Sequence, residues 1–277
     1  MINFKTVRDY TLRDKIGVGS FGTVYKAAKK GDKQYYVVKV ISLFNMSPKE
    51  INDVENEAKI LSSINSLYIV KYYESFIEDT DLFIVMEHCD GGDLQKYFNL
   101  AIKTGRTLPE EKIWRIFIQI CIGLACLHNQ KILHRDIKAL NIFMTRDDKI
   151  KIGDLGVAKA LSQQSYAKTF IGTPYYLSPE ICEEKPYNEK SDVWALGCIL
   201  YELATYKHPF NASNQPALIL KILKGKYEPI SKEYSPELKK ILDSILIKNV
   251  YKRPSIFDIL SNSSNIIKFK YLITLIL

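Results

Sequence analysis

The run His134-Arg135-Asp136-Ile137-Lys138-Ala139-Leu140-Asn141, answered after a short strand by Asp154-Leu155-Gly156, decides how the rest of the chain is read. It places two acids and an amide in segments with loop character. That set suits a reaction in which divalent cations neutralise phosphate oxygens while one further carboxylate takes the proton of a hydroxyl group. Hard Mg²⁺ prefers oxygen ligands and keeps water, so Asp154 and Asn141 suit it and thiols do not. Either fragment alone reads as an ordinary polar loop; the two in this order do not.

Toward the N-terminus, Gly17-Val18-Gly19-Ser20-Phe21-Gly22-Thr23-Val24 has the G-x-G-x-x-G spacing, which lets a backbone approach phosphates with no Cβ in the way. In a dinucleotide-binding fold the third glycine opens a helix. Here Thr23-Val24-Tyr25 continues as a strand, which leaves a glycine hairpin over a nucleotide. Lys39 belongs to a second strand-like run, Tyr35 to Val40, reached through the turn Lys30-Gly31-Asp32-Lys33. Ser47-Pro48-Lys49-Glu50 predicts a capping box, after which Ile51, Val54, Ala58 and Leu61 recur at helical spacing. Glu57 lies on that helix, and an ammonium fixed by a carboxylate is a positioned charge for nucleotide phosphates. Ile69 to Tyr73 and Asp81 to Met86 read as further strands, and Cys89-Asp90-Gly91-Gly92-Asp93 breaks the pattern. The boundary between two lobes, 1–88 and 89–277, is expected there. Beyond it, long apolar helices are expected over Glu110 to His128 and Ser191 to Ala204, with short strands at 141–144 and 149–152.

A chain of 277 residues that is 47% hydrophobic and 25% charged is neither disordered nor low in complexity. The 39 basic against 31 acidic side chains give +8, and residues 1–88 carry 12 of each, so the excess lies wholly beyond the boundary. No run of five like charges and no interleaving of aromatic and basic residues marks a nucleic-acid surface, so a solvated basic face is expected. Lys268 and Lys270 interrupt the apolar C-terminal stretch before it reaches bilayer length, and Met1 to Tyr10 carries no signal-peptide core. Cys89, Cys121, Cys126, Cys182 and Cys198 are odd in number and contain no C-x-x-C pair, which predicts a reducing compartment and no zinc site.

With these motifs in this order, the chain resembles a eukaryotic protein kinase across essentially its whole length. Ser178-Pro179-Glu180 stands where the family has A-P-E, Asp192 begins the D-V-W-A-L-G helix, and Arg253 looks like the arginine that pairs with Glu180. Lys138 and Gly172-Thr173-Pro174-Tyr175-Tyr176 resemble the serine/threonine branch. Met86 to Leu94 and Thr169 to Glu180 are similar to the NIMA-related (NEK) kinases.

The resemblance implies an α+β, bilobal protein-kinase fold filling residues 1–277 as one domain: a small antiparallel sheet with one key helix, and a larger, mainly helical lobe. It implies ATP and Mg²⁺ as cofactors. Backbone at Glu87 and Cys89 would pair with adenine, Ile16, Val24, Val37 and Phe143 would sandwich it, and Asp93 would reach the ribose. Gly17, Gly19 and Gly22 would cover the phosphates, Lys39 held by Glu57 would contact them, and Asn141 and Asp154 would hold the metal. Asp136 would be the catalytic base and Lys138 would steady the transferring phosphoryl group. Thr169 would be the activating phosphosite with Arg135 and Lys159 as its cations, Thr173 would face the substrate, and Tyr72 would be a brake on the Glu57 helix. Partners would be proteins offering Ser or Thr, with no nucleic acid and no membrane, and a monomer or weak homodimer for trans-autophosphorylation. The expected location is cytoplasmic, extending to nucleus, centrosome or cilium. With no tail beyond the kinase domain, no coiled-coil dimer is expected. Three positions depart from the common pattern: Leu155 for Phe, Ala139-Leu140 in the catalytic loop, and Val37 for Ala. The rival expectation is a pseudokinase acting as a scaffold.

Overall fold

A computed structural model of the chain describes residues 5–19, 22–154 and 174–262. Its first lobe is one antiparallel sheet of β1 (Thr6–Val7), β2 (Tyr10–Gly19), β3 (Gly22–Lys29), β4 (Tyr35–Ser42), β5 (Tyr72–Glu78) and β6 (Asp81–Glu87), in the order β1-β2-β3-β4-β6-β5. Between β4 and β5 runs α1 (Pro48–Ser63), and the capping box anticipated at its start is present: the Ser47 hydroxyl accepts from the Glu50 amide while the Glu50 carboxylate accepts from the Ser47 amide at 2.7 Å. One face of the sheet packs on α1 through Ile41, Val54, Leu61 and Ile84; the other holds its own core of Tyr10, Val38, Phe76, Phe83 and Val85.

A second sheet, β7 (Gly92–Asp93), β8 (Ile142–Met144) and β9 (Ile150–Ile152), roofs the larger lobe. That lobe is built from α2 (Leu94–Thr104), α3 (Glu110–Asn129), α4 (Pro179–Cys182), α5 (Glu189–Thr205), α6 (Gln215–Lys224), α7 (Pro236–Ile245) and α8 (Ile256–Ser261). From Ser191 to Leu203 every residue of α5 is buried, so this helix is the axis around which the others pack.

The run Ile69 to Tyr73 is not the strand its composition suggests. Val70 donates to the Ile152 carbonyl and Ile152 to the Tyr68 carbonyl, both at 2.8 Å, so the chain here ties to β9 of the other lobe before β5 begins at Tyr72. Gly123 of α3 permits this crossing to lie close, because a Cβ there would meet the Tyr68 carbonyl at 2.8 Å. Among the described residues no helix is long and apolar enough to cross a membrane, and all five cysteines are free.

Candidate active site

Strand register assembles the upper wall of a cleft. Val24 pairs with Lys39, Lys39 with Ile84, Val37 with Met86, and Met86 with Tyr72, so these side chains share the sheet face that looks toward the helical lobe. Gly17 pairs with Val24 and Gly19 with Gly22, which carries the hairpin to its tip; Ile16, on the same β2, is 47% exposed. The glycines are not equivalent. A Cβ on Gly22 would stand 2.1 Å from the Val40 carbonyl, whereas one on Gly17 would touch only Val24, at 3.8 Å.

Lys39 is buried, and its ammonium donates to Asp154 Oδ1 at 2.7 Å, across the cleft from sheet to loop. Glu57 is placed on α1 by the backbone; its side chain lies outside the described residues. Below Lys39 a small cavity of about 20 Å³ is lined by Leu61 of α1, Tyr72, Met86, Gly153 and Asp154, and the Tyr72 hydroxyl donates to Ser75 Oγ at 2.7 Å.

The connection between lobes is clamped by Glu87, whose carboxylate accepts from the Lys71 amide at 3.1 Å and pairs with the buried Lys151 ammonium at 2.9 Å. Two residues on, the backbone N–H and C=O of Cys89 make no hydrogen bond within the described residues, which leaves an edge for a planar donor–acceptor ligand. Burial pushes the Cys89 thiol up to about 12, so it stays protonated and unreactive. Asp93 is held at the head of α2: one oxygen caps the helix through the Lys96 amide at 2.8 Å and the other meets the Lys96 ammonium at 3.3 Å. Phe143 pairs with Asp93 on β8 and packs so closely over Gly153 that a Cβ there would lie 2.6 Å from the ring.

On the floor, Asp136 Oδ2 accepts from Lys138 Nζ at 2.8 Å and from Asn141 Nδ2 at 3.0 Å, and the same amide nitrogen donates to the Asp136 carbonyl at 2.8 Å. Asn141 Oδ1 has no donor among the described residues, and the Asn141 carbonyl accepts from the Gly153 amide at 2.9 Å, which sets this amide near the half-exposed Asp154 carboxylate.

Two residues of this floor, Arg135 (φ 64) and Asp154 (φ 50), hold left-handed backbone, which costs energy in a non-glycine residue and persists only where neighbours impose it. Asp192, wholly buried on α5, imposes it at Arg135. Its carboxylate accepts from the His134 amide at 3.0 Å, the Arg135 amide at 2.9 Å, His128 Nε2 at 2.9 Å and the Tyr187 hydroxyl. Burial alone would raise the Asp192 carboxyl, but these bonds hold it below the ordinary carboxylate range. His134 receives the Asp136 amide on Nδ1 at 3.2 Å and so donates through Nε2 to the Gly153 carbonyl at 3.0 Å; burial lowers its pKa and keeps it neutral. One ring thus joins the loop of Asp136 to that of Asp154.

Outside the cleft, Arg253 meets Glu180 bidentately at 2.8 and 3.0 Å, both buried, as the resemblance implied. Tyr176 links the 174–176 turn to the floor: its hydroxyl accepts from the Ala139 amide at 3.2 Å and donates to Glu202 at 2.7 Å. Thr169 and Thr173, with Lys159, lie outside the described residues. Sequence reasoning did not find His128, Lys151 or Tyr187. It met Asp192 only as the first residue of a motif, although an acid leading into a long apolar run within a helix is itself a sign of a buried, partnered carboxylate.

A cleft between a glycine-looped sheet and a helical lobe, floored by a lysine-linked aspartate, defines the class. The family model for the protein kinase domain matches residues 10–264, and the chain belongs to that family, with its bilobal fold. Among curated proteins it is 47% identical over 252 residues to serine/threonine-protein kinase Nek1 of Mus musculus, covering 91% of this chain and 21% of that protein. Nek5 of Homo sapiens is 45% identical, with 91% and 36% covered, and probable serine/threonine-protein kinase nek2 of Dictyostelium discoideum is 42% identical, with 92% and 62% covered. Within the family the chain is NEK-like, and it spans between a fifth and two thirds of the length of these relatives.

Proposed function

We propose that the chain transfers the γ-phosphoryl group of ATP to Ser and Thr hydroxyls of proteins. The observation that carries this is the floor: an aspartate held by Lys138 and Asn141, joined through His134 to the loop bearing Asp154, itself in contact with Lys39. Asp136 is the group placed to take the proton of the attacking hydroxyl. Lys138, already against that carboxylate, supplies positive charge where the transferring group is most negative, and Lys39 supplies it on the sheet side. Glu57 is the partner proposed for Lys39. The donors fit magnesium: Asp154 offers a carboxylate and Asn141 an amide oxygen with no donor among the described residues, both hard ligands, and no group of three or more His, Cys, Asp or Glu competes among those residues. The ion would neutralise charge on phosphate oxygens. The Cys89 backbone edge and the apolar Val24, Val37 and Phe143 suit adenine.

The reading extends to regulation. Tyr72 lines the same small cavity as Leu61 of α1 and Asp154, and from there its ring would oppose inward movement of the Glu57 helix. Thr169 is proposed as the phosphosite and Thr173 as a substrate-facing hydroxyl. Arg135 sits beside the base and would pair with a phosphate on Thr169. Proteins presenting Ser or Thr are the partners, met by a monomer or a transient dimer.

Asp136→Asn and Asp154→Asn should each melt like the wild type and lose phosphotransfer by about 10² or more. Retention of more than about a tenth of turnover in either would remove that residue from its role. After incubation with ATP, mass spectrometry should find phosphate on Thr169, and Thr169→Ala should fail to activate.

A further inference from the structure

On the helical lobe, remote from the cleft, the end of α6, the 225–230 segment and α7 enclose a cavity of about 460 Å³, within the size range of ligand sites. Its floor is apolar, made by the buried Ile230, Leu242 and Leu246. Its rim is basic: Lys224, Lys226, Lys239 and Lys248 stand around it, all exposed, against a single lining carboxylate, Asp243. That carboxylate already accepts from the Tyr227 hydroxyl at 2.6 Å. Lys248 shares Glu183 at 3.7 Å, but Lys224, Lys226 and Lys239 make no ion pair among the described residues. Gly225, at φ +66, reverses the chain between the first two of these lysines and brings both to the same rim.

The charge excess of the molecule lies in this lobe, and here part of it surrounds an apolar recess instead of a flat face. Nucleic acid fits poorly. Tyr227 is the one aromatic residue of the lining; its ring packs at right angles to Tyr201 and Phe210 of the core, at 5.6 and 6.0 Å between centroids, and its hydroxyl is held by Asp243, so no second ring stands with it as a stacking platform. We infer that this groove docks an acidic segment of a partner protein, with an apolar side chain seated on Ile230, Leu242 and Leu246 and carboxylates on either side paired with the lysine rim. It is a recognition surface separate from the catalytic cleft, and it requires nothing of the phosphotransfer reading.

The test is direct binding, measured by fluorescence anisotropy on the whole chain. The probe is a short fluorescein-labelled peptide, a Leu-Phe pair between runs of glutamate, without Ser, Thr or Tyr so that it is no phosphoacceptor. The peptide should bind saturably and weaken with added salt. The triple variant Lys224→Glu, Lys226→Glu, Lys239→Glu changes only exposed side chains. With loss of three exposed ion pairs and added repulsion, it should bind about tenfold more weakly or worse. A peptide with Ser-Gly in place of Leu-Phe should also lose about tenfold. Equal binding by the triple variant, equal binding of the Ser-Gly peptide, or tighter binding of a single-stranded oligonucleotide that the triple variant abolishes would each overturn the inference. Because no turnover is measured, failure here leaves the kinase reading standing, and an inactive chain that binds the peptide leaves the docking site standing.

Discussion

Replacing Asp192 by asparagine should damage the active site from beneath it. The carboxylate accepts from two backbone amides, His128 and Tyr187, in a place with no solvent. An asparagine offers one acceptor oxygen in place of two and turns an NH₂ group toward donors, so about two of these buried donors lose their partner. At about 1–3 kcal/mol for each unsatisfied group, the direct loss is about 2–6 kcal/mol. Removing the charge also removes the cost of burying it, which leaves a net loss of about 2–4 kcal/mol. For a chain of this size that lowers Tm by roughly 5–15 °C. Arg135 then has less reason to hold its left-handed backbone, and Asp136 moves with it; a displacement of about 1 Å costs about 10² in rate. Thermal melting and peptide phosphorylation would be measured together, with kcat falling and KM for ATP changing less, since Lys39 and the Cys89 edge do not rest on Asp192. The effect has a pH signature. The folded-state carboxyl of Asp192 is depressed, so its stabilisation is complete above the ordinary carboxylate range and is lost as pH falls below about 4. The stability gap between wild type and Asp192→Asn should therefore be widest near neutral pH and close in acid. A Tm within about 2 °C of wild type with unaltered turnover would refute the reasoning.

Gly22→Ala should destabilise the sheet by about 1–3 kcal/mol, because its Cβ meets the Val40 carbonyl, whereas Gly17→Ala should be near neutral; urea unfolding of the two distinguishes a strand-packing glycine from a spare one. Arg253→Met should cost about 3–5 kcal/mol by leaving Glu180 buried and uncompensated, and adding Glu180→Leu should restore part of it, read as a double-mutant cycle in Tm or urea midpoint. Tyr72→Ala should raise the basal activity of unphosphorylated protein if the ring is a brake; a loss of both activity and stability would mean that it only packs beneath α1.

The sequence makes some of this legible and hides the rest for physical reasons. Ser47 to Glu50 announces α1 because capping chemistry is local, and the loops of Asp136 and Asp154 are visible because their residue types and order are unusual. β2 was not anticipated beyond its glycines: Arg13, Asp14 and Lys15 are exposed and give no alternating pattern, and the strand exists by pairing with β3. The run at 69–73 has strand composition, yet its first half is captured by β9, a contact that no local pattern encodes. Likewise the Lys39 contact with Asp154 and the Asp192 hub join residues far apart in the chain, so periodicity is silent about them. Asp93, which the resemblance implies as a ribose ligand, also caps α2, a role its residue type and its position before the helix predict.

The claim at the centre of this account is tested most directly by incubating the chain with γ-labelled ATP, magnesium and casein, and identifying the labelled amino acids after acid hydrolysis. The account predicts label on phosphoserine and phosphothreonine, dependent on magnesium and lost in a folded Asp136→Asn control. Label confined to phosphotyrosine, or no transfer by protein shown to carry phosphate on Thr169, would contradict it.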